Sequence, residues 1–310
     1  MNNFSVSVFI LTYNQQDFIA NTLESILNQK TNFLFQLVIG EDCSSDNTRQ
    51  ICATYAEAYP LKIKLLPSVQ HLGLINNFIR TIKECDGKYI AVCDGDDYWI
   101  DPLKLQKQFD FLEARPDFSI VYTGIRNLYK NGEFKDKRWS FIKEPKYFDE
   151  LIFGNFIPSV TAFYRNKKEA EEWPLWIVNF PYGDWPVYLW LTRNGEKIGY
   201  IDEVTGIYRK EIGVSERMKN VSSDISKVNF GIVECILNDA NFGSKRPIVV
   251  ESFKQHKYGL LGSYFREGKL MESLSIGKNL ISKEPVKVIR TYLYLVKRFF
   301  LKRIFKGQIL

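Results

Sequence analysis

Tyr89-Ile90-Ala91-Val92-Cys93-Asp94-Gly95-Asp96-Asp97-Tyr98-Trp99 decides the reading of this chain. An apolar run of strand length ends abruptly in three carboxylates, which places them at the carboxyl edge of a sheet, where open α/β sheets bind their ligands. Gly95 lets the backbone turn tightly between Asp94 and Asp96. Oxygen ligands at this density suit Mg²⁺ or Mn²⁺, ions usually held by one or two carboxylates together with substrate phosphates. A second reading stays open: a solvated turn whose Asp residues cap the helix that begins near Asp101-Pro102.

Upstream, strands and helices alternate. Ser5 to Thr12 reads as a strand ending at Tyr13-Asn14, and Phe18, Ile19, Thr22, Leu23, Ile26 and Leu27 follow at helical spacing. Phe35 to Gly40 is a second strand, ending in Glu41-Asp42. Cys43 to Thr48 then caps a helix carrying Ile51, Cys52, Tyr55 and Tyr59. A short strand over Lys62 to Leu66 and a helix over Leu74 to Cys85 precede the central run. This order predicts an α/β domain with a mainly parallel, right-handedly wound sheet, and it brings Asp42 and the Asp94 to Asp97 group to one edge.

Composition is that of an ordinary globular protein, with 45% hydrophobic and 25% charged residues in 310. Five scattered cysteines without a Cys-x-x-Cys pair point to a reducing compartment and away from a zinc site, and two histidines leave no support for a Ser-His-Asp triad. The start, Met1-Asn2-Asn3-Phe4, has no basic segment before an apolar core, so no signal peptide is expected. No apolar run reaches the roughly 18 residues of a membrane span. Residues 285–310 hold seven Lys or Arg and no acid, so a net charge of +6 leaves −1 for residues 1–284.

The ordered motifs Val8-Phe9-Ile10-Leu11-Thr12-Tyr13-Asn14, Glu41 to Thr48, His71-Leu72-Gly73 with Asn77, and Asp94-Gly95-Asp96-Asp97 resemble the family 2 glycosyltransferases, from about Ser5 through Arg209. The resemblance implies an inverting enzyme with a GT-A nucleotide-diphospho-sugar transferase fold. It implies that Thr12, Tyr13 and Asn14 flank the nucleotide, with Glu41, Asp42 and Asn77 in the base-recognition region and Asp42 bonding the base. Asp94 and Gly95 would face the ribose or donor sugar, Asp96 with Asp97 would hold Mg²⁺ or Mn²⁺, and His71 is a loop residue. Departures exist: Leu11 stands where the family often has Pro, and Glu41 and Cys43 where it often has Asp and Gly.

Gly154 to Tyr164 resembles the family's acceptor border, and Phe180-Pro181-Tyr182-Gly183-Asp184-Trp185-Pro186 resembles the segment carrying its catalytic base. Asp184 has two readings, a helix cap and a general base raised in pKa by its aromatic neighbours. Gly206-Ile207-Tyr208-Arg209 also resembles the family, and Arg209 has two readings, a contact to the diphosphate and a brace of its loop. Glu211 stands where a His commonly follows, which leaves its part as a metal ligand doubtful.

The expected organisation is a GT-A domain over 1–215, a helical extension over 216–284 packed on the body, and a basic amphipathic helix over 285–310. That last helix either packs with a solvated basic face or lies on an anionic membrane surface. The expected partners are a nucleotide-sugar donor, UDP-sugar by default, and a glycan or lipid-linked acceptor, with no nucleic acid. The expected place is the cytoplasm, peripherally on the inner face of the cell membrane, in bacterial surface polysaccharide synthesis. Two rivals remain: a metal-dependent nucleotidyltransferase, disfavoured because Thr12 to Ile19 has no Gly, Lys or Arg, and a donor-binding protein without turnover. Asn131-Gly132 signals a hairpin within 127–148, a stretch with no assigned chemistry.

Overall fold

The computed structural model describes residues 4–138, 145–167, 173–212 and 221–306, with 299–306 described by backbone alone. The chain forms two compact units, Met1–Gly213 and Val214–Leu310. The expected boundary at 215/216 and the last four residues of the expected tail helix lie outside the described residues.

The first unit runs β1 (Val6–Thr12), α1 (Ile19–Leu27), β2 (Phe35–Glu41), α2 (Thr48–Ala58), β3 (Ile63–Leu65), α3 (Leu74–Lys83), β4 (Tyr89–Val92), β5 (Tyr98–Trp99), α4 (Lys104–Glu113), β6 (Phe118–Leu128), β7 (Phe134–Lys137), α5 (Phe148–Leu151), β8 (Phe163–Arg165), α6 (Asp184–Thr192) and β9 (Lys197–Arg209). Every residue of β1, β2 and β4 is buried. Strands buried on both faces read as continuous apolar runs, the pattern a parallel sheet between helices demands.

The strands form one nine-stranded sheet in the order β3-β2-β1-β4-β8-β6-β9-β5, with β7 beside β6. β3, β2, β1 and β4 are mutually parallel, β6 is parallel to β9, and β8 lies antiparallel between β4 and β6. The sheet is therefore mainly parallel, as expected, with β5, β7 and β8 opposed. The reversal of β8 has a topological cause: Phe163 pairs with Ala91 and Arg165 with Tyr89, so the chain enters β8 from the carboxyl edge and must run back. That entry lays residues 154–162 along the edge where the carboxylates stand. In the hairpin joining β6 to β7, Gly132 takes the left-handed conformation, φ +82°. The helix expected from Asp101-Pro102 begins at Lys104, because Asp101 Oδ1 first accepts the Leu103 N–H in a turn (2.9 Å).

The second unit contains α7 (Ser222–Asn238), α8 (Arg246–Arg266), α9 (Leu270–Ile281) and α10 (Pro285–Lys306). Leu261, Leu280, Val288 and Leu295 form its buried cluster, with Tyr258, Phe265, Ile276 and Tyr292 packed around them. A Cβ on Gly277 would stand 2.6 Å from the Tyr292 hydroxyl, so the missing side chain sets how closely α9 and α10 approach. Leu270 and Leu274, on α9, are exposed. Among the described residues no helix is long and apolar enough to cross a membrane.

Candidate active site

The carboxyl ends of β1, β2 and β4 lie side by side because their registers align Val6 with both Phe35 and Tyr89. After β4 the chain turns through Gly95, whose N–H donates to Leu11 O at 2.8 Å. A Cβ there would come within 2.5 Å of Gln15 Oε1 and 2.7 Å of Thr12 Oγ1, so only glycine lets the loop sit against β1. From α1, Thr22 Oγ1 hydrogen-bonds both Gly95 O (3.0 Å) and Asp97 O (2.6 Å). From β9, the Arg209 guanidinium reaches Asp96 O and lies 4.8 Å from the ring centroids of Phe18 and Tyr98.

These anchors separate the three acids. Asp97 is buried, its Oδ1 accepts the Arg209 backbone N–H at 2.8 Å, and its Oδ2 has no partner among the described protein atoms. Burial raises its pKa well above the usual range, with Asp96 and Asp94 adding to the effect. Asp96 is half-buried and bonded by the Gln15 amide, and burial raises it as well. Asp94 Oδ2 accepts from Ser159 Oγ at 2.9 Å, yet burial, then Asp96 and Asp184, push its pKa up to about 7. The structure thus brings Asp96, Asp94 and Asp184 into one electrostatic neighbourhood and turns Asp97 inward as a brace.

Asp184 opens α6 directly after Gly183, where a Cβ would meet the Phe78 ring at 2.7 Å. Its Oδ2 accepts from Asn155 Nδ2 at 2.9 Å. Burial raises its pKa, while backbone N–H groups of the helix start and Asn155 pull the other way. Neighbouring Tyr164, Tyr182 and Tyr188 feel its charge, and the Tyr188 hydroxyl has no partner among the described protein atoms. Asn155 and Ser159 both come from the segment entering β8. Their only local signal in the sequence is the Gly, Asn, Pro and Ser content of a stretch that resembles the family's acceptor border.

The loops after β1 and β2 interlock. Asn14, in the left-handed region at φ +51°, donates its N–H to Ser44 Oγ (3.0 Å), and its Oδ1 accepts the Ser45 N–H (2.9 Å). Gln15 N–H donates to Thr48 Oγ1 at 2.7 Å. Asp42 accepts the Leu72 and Gly73 N–H groups at 2.8 and 2.9 Å, and its Oδ2 stands 3.0 Å from His71 Nδ1. The half-exposed Tyr13 ring stacks on His71 with centroids 4.2 Å apart, a planar platform beside Asp42 that spacing did not reveal. Glu41 is fully buried against Arg49 (3.1 Å) and the Ser44 N–H (2.6 Å). Asn77 is also buried, donating to Gly40 O (2.7 Å) and accepting from Arg80 (2.8 Å). Glu211, at φ +64°, accepts the Lys130 N–H (3.2 Å) and so faces the β6–β7 hairpin.

No described cluster gathers three metal-ligating side chains. The chemistry of the edge nevertheless fits a hard cation held by one carboxylate and substrate oxygens, and Asp96, half-buried there, has the ligand type such an ion needs. Thr12 Oγ1 and Gln15 Oε1, both buried without a partner among the described protein atoms, add oxygen to the cradle at Gly95.

A family model described as glycosyl transferase family 2 matches residues 7–172. The chain belongs to glycosyl transferase family 2. Uncharacterized proteins of Mycobacterium bovis and Mycobacterium tuberculosis match over 209 residues at 30% identity, 66% of this chain and 58% of theirs. An Escherichia coli relative, the UDP-Glc:alpha-D-GlcNAc-diphosphoundecaprenol beta-1,3-glucosyltransferase WfaP, is 34% identical over 212 residues, 67% of this chain and 78% of its own length. Among solved structures, Staphylococcus aureus TarS with UDP-GlcNAc has a TM-score of 0.61 at 19% identity, covering 94% of this chain and 88% of that one. The Pyrobaculum calidifontis mannosyltransferase PcManGT with GDP-Man and Mn²⁺ reaches 0.60 at 15% identity, covering 95% and 85%. At those identities the likeness is one of fold, and the fold is of GT-A type.

Proposed function

We propose that this chain is an inverting glycosyltransferase that moves a sugar from a nucleotide-diphosphate donor to a hydroxyl of a glycan or lipid-linked acceptor, in bacterial surface polysaccharide synthesis. The observation that carries the reading is the grouping of Asp96, Asp94 and Asp184 on one edge, with Asn155 holding Asp184 by one oxygen. UDP is the favoured nucleotide, supported by the donor named for the Escherichia coli relative.

Tyr13 and His71 offer a stacking face for the base beside Asp42, and the donor sugar and diphosphate extend past Asp94 toward Asp96. A divalent ion at Asp96, when bound, supplies positive charge to the leaving diphosphate. Asp184 accepts the proton of the acceptor hydroxyl. As that oxygen bonds to the anomeric carbon from the opposite face, the bond to the diphosphate breaks and its electron pair departs with the diphosphate. One displacement inverts the centre. A base whose pKa is raised by burial holds a larger driving force for this proton transfer, provided the pH stays above that pKa.

The test is calorimetric titration of UDP, GDP, CDP and dTDP, with Mn²⁺ and with chelator, on wild type, Asp96→Ala and Asp184→Asn. The expected result is metal-dependent binding of one nucleotide, lost in Asp96→Ala, with Asp184→Asn binding normally but inactive. Normal turnover by Asp184→Asn removes the assigned base. Absence of nucleotide binding under every condition removes the enzyme reading.

A further inference from the structure

Helix α10 has more apolar surface than its own unit covers. Val288, Tyr292 and Leu295 recur at i, i+4 and i+7 and pack into the cluster with Leu261 and Leu280. On a helix of 3.6 residues per turn, Val286, Ile289, Leu293 and Val296 recur at i, i+3, i+7 and i+10 on a separate stripe about 120° away. All four are at least 40% exposed. Arg290 and Lys297 follow directly beside that stripe, with Lys287 and Arg298 further round. Of these cations, Lys287 faces Glu284 at 3.6 Å, and Arg298 donates to the Tyr294 hydroxyl at 3.1 Å. From Pro285 to Arg298 no acid occurs.

A packed face, an exposed apolar stripe and a cationic flank thus occupy three successive sectors of one helix. An ordinary terminal helix with a solvated charged face explains the first and the third but not the second, since exposed aliphatic stripes are costly unless something covers them. A second copy of α10 is a poor cover, because pairing along the stripe brings Arg290 and Lys297 of both copies together with no acid between them. An anionic bilayer surface complements both sectors at once, taking the aliphatic side chains at the acyl boundary and the cations at the headgroups.

We propose that Val286, Ile289, Leu293 and Val296 form the lipid-facing stripe of a helix that stays docked in its helical unit while it lies on an anionic membrane surface. Binding then requires no unfolding of Val288, Tyr292 or Leu295 from their cluster. The proposal rests on the glycosyltransferase reading only for its purpose, bringing the site to a lipid-linked acceptor.

The full chain is floated with vesicles of equimolar phosphatidylglycerol and phosphatidylcholine, and with phosphatidylcholine alone. Wild type is expected to float with the anionic vesicles only, less so as salt rises. Ile289→Glu/Leu293→Glu is expected to lose at least about tenfold in vesicle partitioning, with melting temperature and nucleotide titration unchanged. Arg290→Ser/Lys297→Ser, a second pair that leaves the apolar stripe intact, is expected to lose the preference for anionic lipid. Failure of wild type to float, flotation of the Glu pair equal to wild type, or a dimer in lipid-free light scattering that the Glu pair dissociates each overturns the proposal. The nucleotide titration separates such a failure from failure of the enzyme reading.

Discussion

Lys104 carries an ammonium group into the core beneath the acidic loop, and its pH linkage is predictable. The residue is fully buried in α4, its Nζ donates to Gln108 Oε1 at 2.7 Å, and it lies 4.0 Å from the Trp99 ring centroid. Burial lowers its pKa from 10.5 to about 7, with Cys93 and Asp101 only partly opposing. Below that value folded and unfolded chains both hold the proton, and the folded state bears the full cost of a buried charge. Between about 7 and the unfolded value only the unfolded chain holds it, so stability rises with pH across that window. By about pH 9 two units have opened, worth roughly 2.7 kcal/mol, or about 5–10 °C in Tm for a domain of this size. The Trp99 face favours the charged form and makes this an upper value. Lys104→Met removes the titrating group and leaves every other one in place. Melting both proteins from about pH 6 to about pH 9 should therefore show wild type gaining on the variant as pH rises. Parallel profiles would refute the assignment of a depressed Lys104.

Gly95→Ala forces a Cβ to within 2.7 Å of Thr12 Oγ1 on a rigid strand end, and is expected to cost about 1–3 kcal/mol and abolish nucleotide binding. Denaturant melts and calorimetry check this, and a variant normal in both contradicts the close packing of the loop on β1. Asn155→Ala removes a hydrogen bond that favours charged Asp184, so kcat is expected to fall about tenfold with nucleotide affinity unchanged. The acid limb of its pH–rate profile should move to higher pH, since the base loses a partner of its ionised form. An unmoved limb reduces Asn155 to a structural part.

Much of this arrangement is legible in the sequence because parallel strands buried on both faces cannot hide their apolar runs. β1, β2 and β4 each stand out as such a run, and the polar residues following each one declare the edge. What spacing cannot supply is which of two adjacent carboxylates faces the cradle. Asp96 and Asp97 are equivalent by composition, and the choice is made by the Arg209 backbone N–H, 112 positions later, which takes Asp97 inward. Asn155 is hidden for the same reason: it reaches Asp184 only because β8 fills the slot between β4 and β6 in reverse, through pairings of three and two residues that are too short to leave a pattern. Helical spacing has a related blind spot. It finds apolar stripes, but not which of them another element covers. In the second unit Leu261 and Leu280 are covered while Leu270 and Leu274 are not, and α10 carries one stripe of each kind. Only the packed structure distinguishes a stripe that builds the unit from a stripe left for something outside it. The second kind is where a binding partner leaves its trace.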